Sequence, residues 1–161
     1  NQASENYRAV INKYPDQQDE VAVAKEKLNQ LEAFLVNLSD KAKQHLNEGN
    51  RLFGLWEYEA AIEEFENVIK LEPNTLLAQN AQYWIGECYY AMGRYREAVM
   101  AFEKVFTFPQ SNKNDYAQFK IGQCYSKLGE NDRARQEFQQ LIDSYPESEL
   151  VPRARRYLAE S

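Results

Sequence analysis

One spacing recurs three times along the chain and limits what it can fold into. Gly49, Ala61, Phe65, Val68 and Pro73 return as Gly86, Ala98, Phe102, Val105 and Pro109, and again as Gly122, Ala134, Phe138, Leu141 and Pro146. In every copy glycine precedes alanine by twelve residues and alanine precedes phenylalanine by four. Successive alanines lie 37 and then 36 residues apart. A fixed period of this length marks a stacked array, in which each unit buries its apolar face only against its neighbours.

Within a copy the offsets predict two antiparallel helices, the first centred on Gly49, Gly86 or Gly122 and the second starting at Tyr58, Tyr95 or Asn131. Glycine and alanine leave room for the helices to approach, and Phe65 and its equivalents fill the space between pairs at helical spacing. Gly54, Gly93 and Gly129 supply the permissive residue after each first helix, and the late prolines close each second one. Asp40, Asn74 and Asp115 are the expected N-caps of the first helices. The fold class is therefore all-α, with no strand.

These residues resemble the tetratricopeptide repeat (TPR), a helix-turn-helix unit of about 34 residues with small and aromatic positions at these offsets. The resemblance covers about residues 40 to 160 and implies a right-handed α-solenoid of antiparallel helix pairs with a C-terminal capping helix. Each linker carries two or three residues more than the standard unit. Together with Ala81 to Glu87 and Ser144-Tyr145-Pro146-Glu147-Ser148, the longer linkers are similar to the bacterial cell-envelope branch, the YbgF/CpoB (Tol-Pal-associated) and BamD families. That resemblance implies a periplasmic or cell-envelope location and a role in envelope organisation or division. A cytoplasmic TPR adaptor is the alternative.

The expected organisation has residues 1–38 as the end of a preceding repeat block plus a packing or capping helix, 39–148 as three repeats, and 149–161 as a C-terminal capping helix. Ala3, Tyr7, Val10 and Pro15 carry the offsets of Ala134, Phe138, Leu141 and Pro146, so the chain opens as if inside a second helix. Ala24 to Leu28 then resembles Ala154 to Leu158. An equally weighted reading makes residues 20 to 38 a long amphipathic packing helix, since Val21, Ala24, Leu28, Leu31 and Leu35 keep a helical period. In the CpoB family a coiled coil precedes the repeats, but no sustained heptad stands here.

Composition excludes several functions. Asp and Glu number 25 against 19 Lys and Arg, and the formal charge of -6 repels nucleic acid and anionic membrane surfaces. No stretch approaches the roughly 20 apolar residues of a membrane span, and the opening five residues lack the features of a signal peptide. Cys88 and Cys124 form no Cys-x-x-Cys pair and read as small core residues in equivalent places. His45 is the sole histidine and sits on a first helix, where a structural role outweighs a catalytic one. Glu63 and Glu64 read as solvated surface, and no phosphate-binding glycine loop or metal motif occurs. No catalytic residue, metal or cofactor is expected.

What remains is binding. The resemblance implies that first helices line a concave groove that takes a protein or peptide. Transferring the facing pattern along each gives Lys43, Leu46, Asn50 and Phe53; Asn80, Tyr83, Glu87 and Tyr90; and Tyr116, Phe119, Gln123 and Lys127. Five of these are aromatic, a type enriched at binding hot spots. Phe53, Tyr83 and Phe119 have packing against the neighbouring repeat as their other reading. The basic clamp of a cytosolic co-chaperone is missing, because Leu46 and Tyr83 stand where it needs basic or polar groups. Arg153, Arg155 and Arg156 read as a solvated patch favouring the C-terminus of the closing helix. An exposed Trp56 and uncovered apolar ends would support a homo-oligomer, the architectural alternative.

Overall fold

The computed structural model describes residues 2–13, 18–109 and 112–160. Pro15, aligned above with Pro146, lies outside the described residues. The described elements are helices: α1 (Gln2–Lys13), α2 (Gln18–Gly54), α3 (Tyr58–Leu71), α4 (Leu76–Ala91), α5 (Tyr95–Glu103) followed by a 3-10 turn (Lys104–Thr107), α6 (Asn114–Lys127), α7 (Asn131–Ser144) and α8 (Val151–Glu160). The second helices of the repeats begin at Tyr58, Tyr95 and Asn131, as the period predicts. The chain divides into two compact units, residues 1–41 and 42–161.

In the larger unit each repeat glycine lies under the phenylalanine of its own second helix. A Cβ built on Gly49, Gly86 or Gly122 would stand 2.6, 2.5 or 2.8 Å from Phe65, Phe102 or Phe138. The rings thus lie on bare backbone inside the repeat, and Phe65 and Phe102 are fully buried. Burying such a ring contributes about 1.5–3 kcal/mol. The fixed spacing in the sequence is the imprint of this crossing.

Polar cross-links repeat with the same period. Gln82 Nε2 donates to the Ala101 carbonyl at 2.9 Å, and Gln118 Nε2 donates to the Glu137 carbonyl and carboxylate. His45 stands at the equivalent place in the first repeat and meets Glu64 through Nδ1. Its role is therefore a helix-to-helix clamp, and Glu64 belongs to that clamp rather than to a wholly solvated surface.

Three cap assignments change. Asp40 lies inside α2, which runs unbroken from Gln18 to Gly54; no glycine or proline occurs between residues 18 and 48 to stop it. At α4 the cap is Thr75, whose Oγ1 accepts from the Ala78 amide at 3.2 Å, and not Asn74. Asp115 is already within α6, where the cap position is Lys113. Its Oδ2 instead accepts from Ser148 Oγ. That bond stands 36 residues beyond the one Gln79 Oε1 accepts from the Asn112 amide.

The turn glycines also need correcting. Gly93 and Gly129 adopt φ +75°, but Gly54 ends α2 and the left-handed position falls on Trp56 at φ 64°. All three turns close alike: Glu57, Arg94 and Glu130 amides reach back to the Leu52, Tyr89 and Tyr125 carbonyls at 2.9–3.0 Å. A left-handed conformation costs an L-residue about 1–2 kcal/mol. Trp56→Gly is therefore expected to stabilise the protein by about 0.5–1 kcal/mol after the extra chain entropy of glycine is offset. Urea denaturation checks it; a lower midpoint would show that the 79% exposed indole makes a stabilising contact.

Candidate functional site

Within the larger unit, α4, α6 and the start of α8 enclose a hollow of about 390 Å³. Its walls are Tyr83, Tyr90, Tyr116, Phe119, Gln123 and Leu150, with Lys120, Glu149 and Arg153 among them. The repeat places Tyr83 and Phe119 at the same position on successive first helices, 36 residues apart. Both are core residues as well, 8% and 2% exposed, because each packs on the phenylalanine of its own repeat. They form the floor, and the half-buried Tyr90, Tyr116 and Gln123 form the sides.

Three cations lie over these rings. Lys113 Nζ is 4.8 Å from the Tyr116 ring centre, Lys120 Nζ is 4.8 Å from that of Tyr90, and the Arg153 guanidinium is 4.6 Å from that of Phe119. Lys120 is paired with Glu87 at 2.7 Å. Among the described residues neither Lys113 nor Arg153 has a carboxylate partner. Tyr116 Oη donates to Glu149, and Gln123 Nε2 donates to Tyr157 Oη at 3.1 Å. Glu87 Oε1 is buried without a hydrogen-bond partner among the described residues, a state that costs about 1–3 kcal/mol unless a donor arrives.

Five of the twelve residues expected to face a partner meet here: Tyr83, Tyr90, Tyr116, Phe119 and Gln123. Glu87 is not in the lining of the hollow but pairs with Lys120, which is. Lys43 and Asn50 are exposed on α2, Leu46 and Phe53 pack half-buried in the first repeat, and Asn80 is half-buried on α4. Lys127 is exposed at the end of α6, one residue beyond Ser126, the true counterpart of Tyr90. Sequence reasoning missed Lys120, Glu149, Leu150 and Arg153. Arg153 had a signal: it follows Tyr116 by 37 residues, so the facing pattern continues into α8. It lies in the first turn of α8 and cannot serve that helix's C-terminus.

The two thiols are inert by burial, which pushes both Cys88 and Cys124 up to about 12. Burial likewise raises Tyr90 to about 12, and burial followed by the Glu87 charge raises Tyr83. A raised folded value means the native state keeps protons that the unfolded chain releases. The thiol contribution is thus intact below the ordinary cysteine value of about 8.5 and is lost as pH climbs toward about 12. Stability should fall across that window, less steeply in the Cys88→Ala/Cys124→Ala variant; equal slopes in denaturant titrations would refute it.

Residues 46–112 match one tetratricopeptide-repeat family model and residues 116–148 match another. The chain carries tetratricopeptide repeats. Known TPR structures share its helical stack. The Arabidopsis OM64 TPR domain superposes with a TM-score of 0.62 at 15% identity, over 76% of this chain and 98% of that one. The N-terminal domain of stress-induced protein-1 (STI-1) from C. elegans gives 0.63 at 18% identity, over 74% and 96%. The second TPR domain of human RPAP3, in complex with the HSP70 peptide SGPTIEEVD, gives 0.62 at 20% identity, over 76% and 96%. No curated protein sequence matches the chain. At these identities the likeness is one of fold, an all-α TPR solenoid.

Proposed function

We propose that this protein is a non-enzymatic TPR scaffold that holds a segment of another protein in the α4–α6–α8 hollow. The observation that carries this reading is the hollow's four aromatic rings, three of which, Tyr83, Tyr116 and Phe119, lie under Lys113 or Arg153, cations without a carboxylate partner among the described residues. Aromatic side chains bury large area with few rotors to immobilise, which makes them economical anchors. In a protein of net charge -6, the lining of this hollow carries two cations, Lys120 and Arg153, against one carboxylate, Glu149. The segment it suits carries an apolar or aromatic side chain for the floor and a carboxylate for Arg153. The RPAP3 domain lends support, since a domain of this fold is found in complex with the acidic peptide SGPTIEEVD.

Selection from a displayed peptide library against the full chain tests the reading. Recovered peptides should be acidic, and Tyr90→Ala should weaken them at least about tenfold, the loss expected at a hot spot. Tyr90 is half-buried at the side of the hollow, so the variant keeps the floor. Affinity unchanged in Tyr90→Ala would count against the hollow as the site.

A finer proposal places this scaffold in the bacterial periplasm, in envelope organisation or division of the CpoB kind. Its support is the lengthened linkers, repeat offsets of 36 and 37 against about 34. A pull-down from periplasm should return envelope or division proteins; recovery of chaperones alone would contradict it.

A further inference from the structure

Two places in the larger unit depart from the repeat, and they are shaped as a knob and a hole. The knob is the turn between α2 and α3. Its left-handed position carries Trp56 at φ 64°, where the later copies have Gly93 and Gly129. The indole is 79% exposed, beside Leu55 at 53%, and the exposed carboxylates of Glu57 and Glu59 follow it. Within one copy this side chain neither suits its backbone nor enters a core, so the stability of the monomer does not account for it.

The hole lies between α3 and α5, over α4. It is a hollow of about 350 Å³ with Ile69, Ile85, Tyr89, Met100 and Ala101 in its walls. Exchanges along the repeat open it. The neighbouring copies have Glu64 and Glu137, which reach across to His45 and Gln118. The middle copy has Ala101 there, and Gln82 bonds to the Ala101 carbonyl instead. Met100, 61% exposed, stands where they have Glu63 and Gln136, and Lys104 stands where they have Asn67 and Gln140. Lys70 and Lys104 close the hollow at the C-terminal ends of α3 and α5. Lys70 meets Glu66 at 4.0 Å, and Lys104 has no carboxylate partner among the described residues. Glu97, in the first turn of α5, stands at the other end and is held by Arg94 at 3.0 Å.

We infer that the hole takes a second copy of this chain, Trp56 of each copy seating in the α3–α5 hollow of the other to form a closed dimer. Charge supports this occupant, because the knob brings Glu57 and Glu59 to Lys70 and Lys104. The arrangement follows from α3. Trp56 stands just before its first turn and Lys70 in its last, about 20 Å further along at 1.5 Å per residue. Two α3 helices set antiparallel about a two-fold axis bring each indole to the other copy's lysines, so both contacts form at once from the same patch on each side. Inside the hollow the indole meets the Met100 thioether and the Tyr89 ring, both favourable neighbours for an aromatic side chain.

Light scattering and tryptophan emission of the full chain across concentration test this. The mass should rise to twice that of the monomer and no further, and salt should weaken the rise. The chain has two tryptophans, so the difference between the parent and Trp56→Gly isolates the emission of Trp56, which should shift to the blue as the dimer forms. Ala101→Glu restores the glutamate of the neighbouring repeats, with Gln82 placed to bond it as Gln118 bonds Glu137. Met100→Glu restores the Glu63 of the first repeat at an exposed position. Each of these two variants, and Trp56→Gly, should weaken dimerisation at least about tenfold. Mixing Trp56→Gly with Ala101→Glu should recover dimers, because the first keeps the hole and the second the knob. The stabilisation given above for Trp56→Gly is that of the monomer and is read at dilute protein. A parent that remains monomeric at the highest attainable concentration overturns the proposal. So does a mass beyond the dimer, a mixture that stays monomeric, or a dimer unchanged by Trp56→Gly or Met100→Glu.

Discussion

Phe102→Ala is expected to lower the free energy of unfolding by about 3–5 kcal/mol, the range for removing a fully buried phenylalanine and leaving a cavity. Of the three repeat phenylalanines it belongs to the middle copy, whose helices α4 and α5 have a repeat on either side. The same crossing makes Gly86→Ala destabilising, although alanine in a helix is ordinarily better than glycine by about 1 kcal/mol. The new methyl would stand 2.5 Å from Phe102 Cε1, and the ring is fully buried. Overpacking of this kind costs about 1–3 kcal/mol, so the sign of the change reports the contact. Combining Gly86→Ala with Phe102→Leu should cost less than the sum of the single changes, because the smaller side chain admits the methyl. Urea denaturation of the four proteins measures the coupling, and strict additivity would show that glycine and ring do not meet.

Gln79→Leu should cost about 2 kcal/mol or more, although it is close to isosteric and its site is completely buried. Gln79 Nε2 donates to the Val105 carbonyl at 3.4 Å and to Asn114 Oδ1 at 3.2 Å, while Oε1 accepts from the Asn112 amide at 3.1 Å. Leucine fills the volume and abandons all three partners, and an orphaned buried polar group costs about 1–3 kcal/mol. The damage should be local. Hydrogen exchange should quicken around Asn112 and Asn114, where the second repeat hands over to the third, before it quickens around α3. A variant as stable as the parent would mean that water takes over these bonds at no cost.

How much of this was legible depended on whether a residue's role is set inside its own repeat. The starts of α3, α5 and α7 follow from the glycine-to-phenylalanine spacing, because that spacing is fixed by one ring resting on one bare backbone. Trp56 was not legible, because the backbone demands a left-handed residue there and residue type alone points to the neighbouring Gly54. Asp40 failed as a cap for a related reason: a capping residue needs a helix that begins, and nothing before Gly49 ends α2. Asp115 and Gln79 were hidden because their partners belong to the following linker, at Ser148 and Asn112. Half of the hollow was legible as a facing pattern on α4 and α6. Arg153 escaped because that pattern was not carried into α8, and Glu149 because it lies in the linker before α8, where no facing pattern was drawn.

The larger unit offers a second hollow, about 350 Å³, bounded by Ile69, Ile85, Tyr89 and Met100 among others. It is the natural competitor for any ligand. Chemical-shift mapping of the full chain with a selected peptide decides between them. Perturbations concentrated at Tyr90, Tyr116, Gln123 and Arg153 are the predicted result. Perturbations at Ile69, Ile85 and Met100, with Tyr90 and Arg153 silent, would contradict the assignment of the aromatic hollow as the place where this protein holds its partner.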